Sequence, residues 1–217
     1  MPSKEEILRR LDLSNKDPER LVITPQINIQ NRIEDGSIDL RLGTQFIVTK
    51  RSKITSLDPI EERRNKGSNI PKYQEKIFID IGNKLVLHPQ QFVLGGTIEY
   101  VKMPVDFIAY VIGRSSWGRV GLVIATATVV HPSYAGIITL ELTNVGDTPI
   151  ALYPGLRVAQ LTFHEISLSK NEKAKRFKNS IREQTKYKAS VGPQFTKFHQ
   201  DDDLELIENY NKKQAEG

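Results

Sequence analysis

A chain of 217 residues with a net charge of +5 and no cysteine is long enough to bury a real core, and it excludes disulfides and thiolate-bound metal. The charge is too small to predict nucleic-acid binding, although it suits a small polyanion. The N-terminus MPSKEEILRRL is charged where a secretory leader is apolar, and no run approaches the ~20 apolar residues of a membrane span, so a soluble cytoplasmic protein with no membrane partner is expected.

Ser3, then Glu5 and Glu6, with Ile7, Leu8 and Leu11 on one face, predict a capped amphipathic helix ending near Asp12. Residues 21–29 (LVITPQINI) read as extended and interrupted by Pro25. After an Asp35–Gly36 turn, SIDLRLGTQFIV (37–48) alternates as a strand does, with a bulge expected at Gly43. Ile38, Leu40 and Leu42 share one face. Asp39 and Arg41 share the other, as a buried pair or a subunit contact. Residues 50–75 are polar and charged, and predict a long, partly mobile excursion able to cover a site. Strands follow at 76–81, 84–88, 92–100, 107–112, 137–144, 150–153 and 157–166. Short strands at near-regular spacing, with helix only at the edges, favour a β-barrel or sandwich.

Residues 169–188 are strongly basic and poor in core residues. They predict either a solvated helix or disordered tail, or an arm that folds over a phosphate-bearing ligand. Leu204, Leu206, Ile207 and Tyr210 recur at helical spacing near the end. The expected organisation is a β-domain with its N-terminal helix over 1–168, a basic arm over 169–200, and a tail or helix over 201–217.

The chemistry concentrates in residues 111–141. An apolar run, 107–112, stops at Gly113 and gives way to Arg114, Ser115, Ser116, Trp117, Gly118 and Arg119. A strand ending at glycine before hydroxyls and cations suits a helix start whose N–H groups bind an anion. One helical turn there puts Ser115 and Arg119 on a shared face. After Gly136, IITLELTN alternates: Ile138, Leu140 and Leu142 point one way, Thr139, Glu141 and Thr143 the other. One short segment therefore offers an anion cradle and a carboxylate on a polar strand face.

SIDLRLG at 37–43, GRSSWGRVGL at 113–122, YAGIITLEL at 134–142, LYPGLRVAQL at 152–161 and KYKASVGP at 186–193 together resemble the dCTP deaminase branch of the dUTPase superfamily, over roughly residues 20–195. The resemblance implies an all-β, distorted jelly-roll subunit, a homotrimer with active sites between subunits, and Mg²⁺ carried by the substrate triphosphate. Zinc deaminases use a His/Cys/Cys site, which a chain without cysteine cannot build. A metal-free route needs a carboxylate to shuttle protons and fixed dipoles to orient the water. In the resemblance, Glu141 is the general base and then acid, and Arg119 pairs with it. Ser115 holds the water and nucleotide, while Arg114 and Ser116 contact phosphate. Ala127 faces the base with its backbone and leaves room for the water, and Thr126 is a further substrate contact. Tyr134 packs on the deoxyribose. Lys186, Tyr187, Lys188 and Ser190 lie in the segment that closes over the triphosphate. Without the resemblance, each has a plain structural reading: strand glutamate, surface cation, helix cap, core tyrosine, basic tail.

Several positions depart from the family pattern. His131 stands where an aspartate is usual before the glycine-aromatic pair, and Ser133 replaces the glycine. The chain is a residue shorter between Leu122 and Ala125, Ser190 stands where a glutamine is common, and Trp117 reads as packing. In bifunctional relatives that aspartate is associated with the water that attacks the α-phosphate, so His131 points to loss of pyrophosphohydrolase activity. The expected reaction is dCTP to dUTP and ammonia, with dTTP as an expected inhibitor. The alternatives are a bifunctional enzyme forming dUMP and pyrophosphate, or a nucleotide-binding relative without turnover.

Overall fold

The computed structural model describes residues 1–50, 56–66, 70–125, 129–180, 190–197, 203, 204 and 207. The helices are α1 (Lys4–Asp12), α2 (Pro59–Arg64), α3 (Ile70–Tyr73), α4 (Ser115–Gly118) and α5 (Lys170–Ser180). The strands are β1 (Val22–Thr24), β2 (Ile33–Glu34), β3 (Ser37–Thr49), β4 (Gln74–Phe78), β5 (Leu85–Leu87), β6 (Phe92–Lys102), β7 (Phe107–Gly113), β8 (Leu122–Ile124), β9 (Val129–Val130), β10 (Ala135–Asn144), β11 (Ile150–Leu152) and β12 (Arg157–Glu165).

The predicted all-β fold is present. One antiparallel, curled sheet runs β8-β10-β6-β3-β12-β7-β9, with β1, β2 and β4 joined to it, and β5 and β11 pair separately. Strand β3 is long because it serves two halves: Ser37 to Arg41 pair with β12, and Leu42 to Thr49 with β6 and β4. The change of partner falls at the bulge expected at Gly43. Register with β6 shifts between Leu42 and Phe46, and a Cβ on Gly43 would sit 2.7 Å from the Gly96 carbonyl oxygen. Ile38, Leu40, Leu42 and Phe46 enter a single core with Leu140, Leu142, Leu161, Phe163 and Phe107. That apolar burial is the main source of stability.

Helix α1 forms as its spacing predicts. The Ser3 hydroxyl accepts the Glu6 N–H, satisfying one of the free donors of the first turn. Ile7 and Leu11 enter the core. Arg10, on the same helix, is also buried and meets Asp106 at 2.6 Å. Lys173 of α5 reaches the same carboxylate at 2.7 Å and Glu19 at 2.5 Å. The basic helix is therefore tied to the buried Asp106 in the turn before β7 and to Glu19 in the loop after α1.

Two expectations change. The extended run 21–29 survives only as β1, since Pro25 donates no N–H to a ladder, and Ile29–Asn31 form a 3-10 turn. The excursion 50–75 contains α2 and α3, which bury Glu62 and Ile70, so it is anchored at two points. Residues 51–55 and 67–69 of it lie outside the described residues.

Candidate active site

Strand β10 alternates as predicted: Ile138, Leu140 and Leu142 are buried, and Thr139, Glu141 and Thr143 are half-buried on the outer face. Glu141 lies opposite Leu94 of β6, and its carbonyl accepts the Ala125 N–H at 2.9 Å. Its carboxyl makes no ion pair or hydrogen bond among the described residues. Burial alone pushes its pKa above the usual carboxylate value. A carboxyl held half out of water, with no resident cation, takes a proton more readily than an exposed one.

The turn after β7 forms as the spacing predicts. The Arg119 N–H donates to the Ser115 carbonyl at 3.1 Å. Trp117 packs against the core, and its indole N–H donates to the Arg157 carbonyl at 2.9 Å. Neither serine caps the helix: the cap position is Arg114, whose side chain makes no capping bond. Ser115, Ser116 and Arg119 are exposed, and their side chains have no partner among the described residues. No ion pair joins Arg119 to Glu141 within one protomer.

Arg114 is tied from below. Its Nε lies 3.5 Å from Asp39, whose other oxygen sits 3.1 Å from Arg157. Asp39 and Arg41 are thus not each other's partners, as their shared face suggested. Arg41 and Arg32 both donate to one oxygen of the fully buried Glu99, each at 2.6 Å, and the other oxygen accepts the Arg41 backbone N–H at 2.9 Å. Glu99 and Arg32 escape a motif-based reading, yet a signal exists. Alternation along β6 puts Glu99 inside with Val93 and Val101, and a buried carboxylate requires cations.

His131 is exposed and opens a tight turn through Pro132 and Ser133, closed by the Tyr134 N–H donating to the His131 carbonyl at 3.1 Å. Ser133 takes φ +65°, the left-handed region that favours the glycine it replaces. Ser133→Gly is expected to stabilise the fold by about 0.5–1 kcal/mol, read as a higher urea midpoint at unchanged slope. An unchanged midpoint would mean that the turn carries no strain. Tyr134 donates its hydroxyl to the Ile137 carbonyl at 2.8 Å, and burial pushes its pKa up to about 12.

Ser190, expected at the phosphates, is buried. Its hydroxyl is bonded to the Gly192 carbonyl, and its own carbonyl accepts the Ile137 N–H at 2.8 Å. In this protomer it seats residues 190–197 across β10 and β6. Pro193 there covers Gly96, where a Cβ would meet it at 3.0 Å. A cavity of about 240 Å³ opens beside this crossing, lined by Gly96, Ile137 and Val191. Thr126, Ala127, Lys186, Tyr187 and Lys188 lie outside the described residues.

The architecture has a solved counterpart. The 2'-deoxycytidine 5'-triphosphate deaminase of Agrobacterium tumefaciens shares the fold over 78% of this chain, with a TM-score of 0.54 and 20% identity. The match spans 50% of that longer chain. At that identity the likeness is one of fold alone, and sequence carries it further. A family model described as dCTP deaminase-like matches residues 2–166. A dCTP deaminase of Natronomonas pharaonis is 40% identical over 200 residues, 92% of this chain and 95% of its own. A relative from Dictyoglomus thermophilum described as "dCTP deaminase, dUMP-forming" is 43% identical over 149 residues, 68% of this chain and 74% of its own. The chain belongs to the dCTP deaminase family, a family of enzymes.

Proposed function

We propose that the protein hydrolyses dCTP to dUTP and ammonia, with Glu141 moving the protons. The supporting observation is the Glu141 carboxyl itself: half-buried, unpaired among the described residues, and raised in pKa by burial. In this reading water adds across the C4=N3 bond of the cytosine, Glu141 taking a proton from the water and delivering it to N3. Glu141 then takes the proton of the new C4 hydroxyl and passes it to the 4-amino group, which leaves as ammonia as the C4 carbonyl forms. Ser115 and the backbone at Thr126 and Ala127 orient the water and base. Arg114, Ser116, Lys186, Tyr187 and Lys188 meet the phosphates, and Tyr134 flanks the sugar. Magnesium enters as part of the substrate, on the triphosphate oxygens. Among the described residues no cluster of three His, Asp or Glu side chains is placed to hold a metal ion.

Arg119 and Glu141 make no ion pair in one protomer, and the surface near Arg119 is apolar. Tyr110, Ile112, Val120 and Val123 are all at least 38% exposed. Such a surface suits a subunit interface, and a second copy would bring its Arg119 to Glu141. A homotrimer with sites between subunits follows from this reading.

Relatives of both product types match at similar identity, so similarity alone does not decide between dUTP and dUMP. His131, exposed where the dUMP-forming pattern has an aspartate, favours dUTP. Incubation with dCTP and Mg²⁺, followed by separation of products, tests this. Ammonia with dUTP is expected. dUMP with pyrophosphate would establish the bifunctional reading, and binding without turnover would overturn the catalytic one.

A further inference from the structure

A cavity at the far end of β10 from Glu141, beside the turn that carries Tyr134, is lined by cations and has the chemistry of an anion site. About 590 Å³ opens between the loop after α1, the ends of β6 and β10, and the last turn of α5, within the roughly 300–1,000 Å³ typical of small-ligand sites. Its wall carries Lys16, Arg20 and Lys102 against one carboxylate, Asp17. Asp17 already accepts the Glu19 N–H at 2.8 Å. None of the three cations has an ion-pair partner among the described residues. The Arg20 Nε is buried with no hydrogen-bond partner among the described residues, a donor that is costly to leave unmade. Two flat rings also line it: Tyr100, two residues from Lys102 on β6, and Phe177 of α5, whose centroid lies 6.0 Å from the Lys102 ammonium. Ser133 also lines the wall.

This is not the site built around Glu141. Tyr100 and Lys102 pair with Ile137 and Ala135 in the β6–β10 register, and Glu141 lies roughly 14 Å beyond Ile137 and roughly 20 Å beyond Ala135 along β10. Neither Arg114, Ser115, Ser116 nor Arg119 lines the cavity.

We propose that this cavity binds a second ligand, a small organic phosphate with a flat ring, of the size and build of a nucleoside monophosphate. The phosphate sits among Arg20, Lys102 and Lys16, where the Arg20 Nε gains its missing acceptor. The ring lies between Tyr100 and Phe177. Because Phe177 stands in the last turn of α5, an occupied cavity would also brace that helix against the sheet.

Isothermal titration of dUMP into the full chain tests the assignment, with Arg20→Gln and Lys102→Glu as variants. Lys102 is half-exposed on a strand, so its replacement is not expected to disturb folding, which thermal unfolding checks. Wild type is expected to bind one dUMP per chain more than either variant, or to bind it at least about tenfold more tightly at that site than the charge-reversed variant does. Inorganic phosphate is expected to bind there more weakly than dUMP, because it lacks the ring. Deamination of dCTP should remain within about twofold of wild type in both variants, since neither residue lies at the catalytic elements. The same dUMP stoichiometry and affinity in all three proteins would overturn the proposal. So would a parallel loss of deamination, which would place the cavity within the substrate site. The dUMP titration reads the cavity even if the chain releases no ammonia, so failure here and failure of the catalytic reading are separable.

Discussion

Glu141→Gln is expected to lower ammonia release from dCTP at least about a thousandfold, with dCTP affinity changed only a few-fold. Glutamine keeps the shape and a hydrogen-bonding oxygen but cannot accept and return a proton. The fold should tolerate the change, because the carboxyl has no ion-pair or hydrogen-bond partner to lose among the described residues. Stability carries a sign that can be checked. Burial raises the folded pKa of Glu141, so its contribution is present below the ordinary carboxylate pKa and lost as pH rises through the raised value. The glutamine variant should therefore match or slightly exceed wild type at neutral pH. Catalysis runs the other way. The base must be ionised, so kcat/KM should rise as pH climbs through the same raised value. A glutamine variant that released ammonia at the wild-type rate would remove Glu141 from the mechanism.

Asp106→Ala is expected to lower stability by about 3–5 kcal/mol. It would leave the Arg10 side chain, 5% exposed, as a buried charge with its closest partner gone, and would also release Lys173. The expected fall in Tm is roughly 6–20 °C for a chain of this size, measured by scanning calorimetry. Arg10 would still have Glu6 at 2.7 Å and the Phe107 ring at 3.9 Å, and these set the lower end of that range. A fall of less than about 1 kcal/mol would show that the network contributes little.

The same network predicts acid sensitivity. Burial pushes the Asp106 carboxyl up, but the hydrogen bonds from Arg10 and Lys173 outweigh it and hold the group below its usual range. Lys173 and Arg9 hold Glu19 low against burial, and Arg9 and Arg10 lower Glu6 to about 2. Folded pKa values below unfolded ones mean stability that is present above the ordinary carboxylate range of about pH 4 and lost as pH falls through the lowered values. Wild type should thus lose stability steeply below that range, and the Asp106→Ala variant less steeply.

Local patterns were legible where they were long enough. The helix capped by Ser3, the alternation of β10 and the bulge at Gly43 each follow from spacing over several residues. The three-residue β8 and two-residue β9 do not, since so short a strand shows no period. The basic helix α5 was legible as charge, but not as an anchor. Lys173 finds Glu19 154 positions away, and nothing local to either residue announces the pairing. Glu99 could have been flagged by parity, but its two arginines come from β3 and the turn before β2, joined only by the fold. At the candidate site, the shared turn of Ser115 and Arg119 was readable from their spacing. Their relation to Glu141 was not, because no hydrogen bond or ion pair joins either to Glu141 within one protomer.

That relation is the central claim, and subunit mixing tests it directly. Glu141→Gln and Arg119→Ala are each expected to be inactive alone. If Glu141 of one subunit works with Arg119 of the next, co-refolding the two variants in equal amounts should restore about a quarter of the wild-type sites, those that draw both intact residues from different chains. Two inactive variants that form mixed oligomers and recover no ammonia release would contradict the shared site.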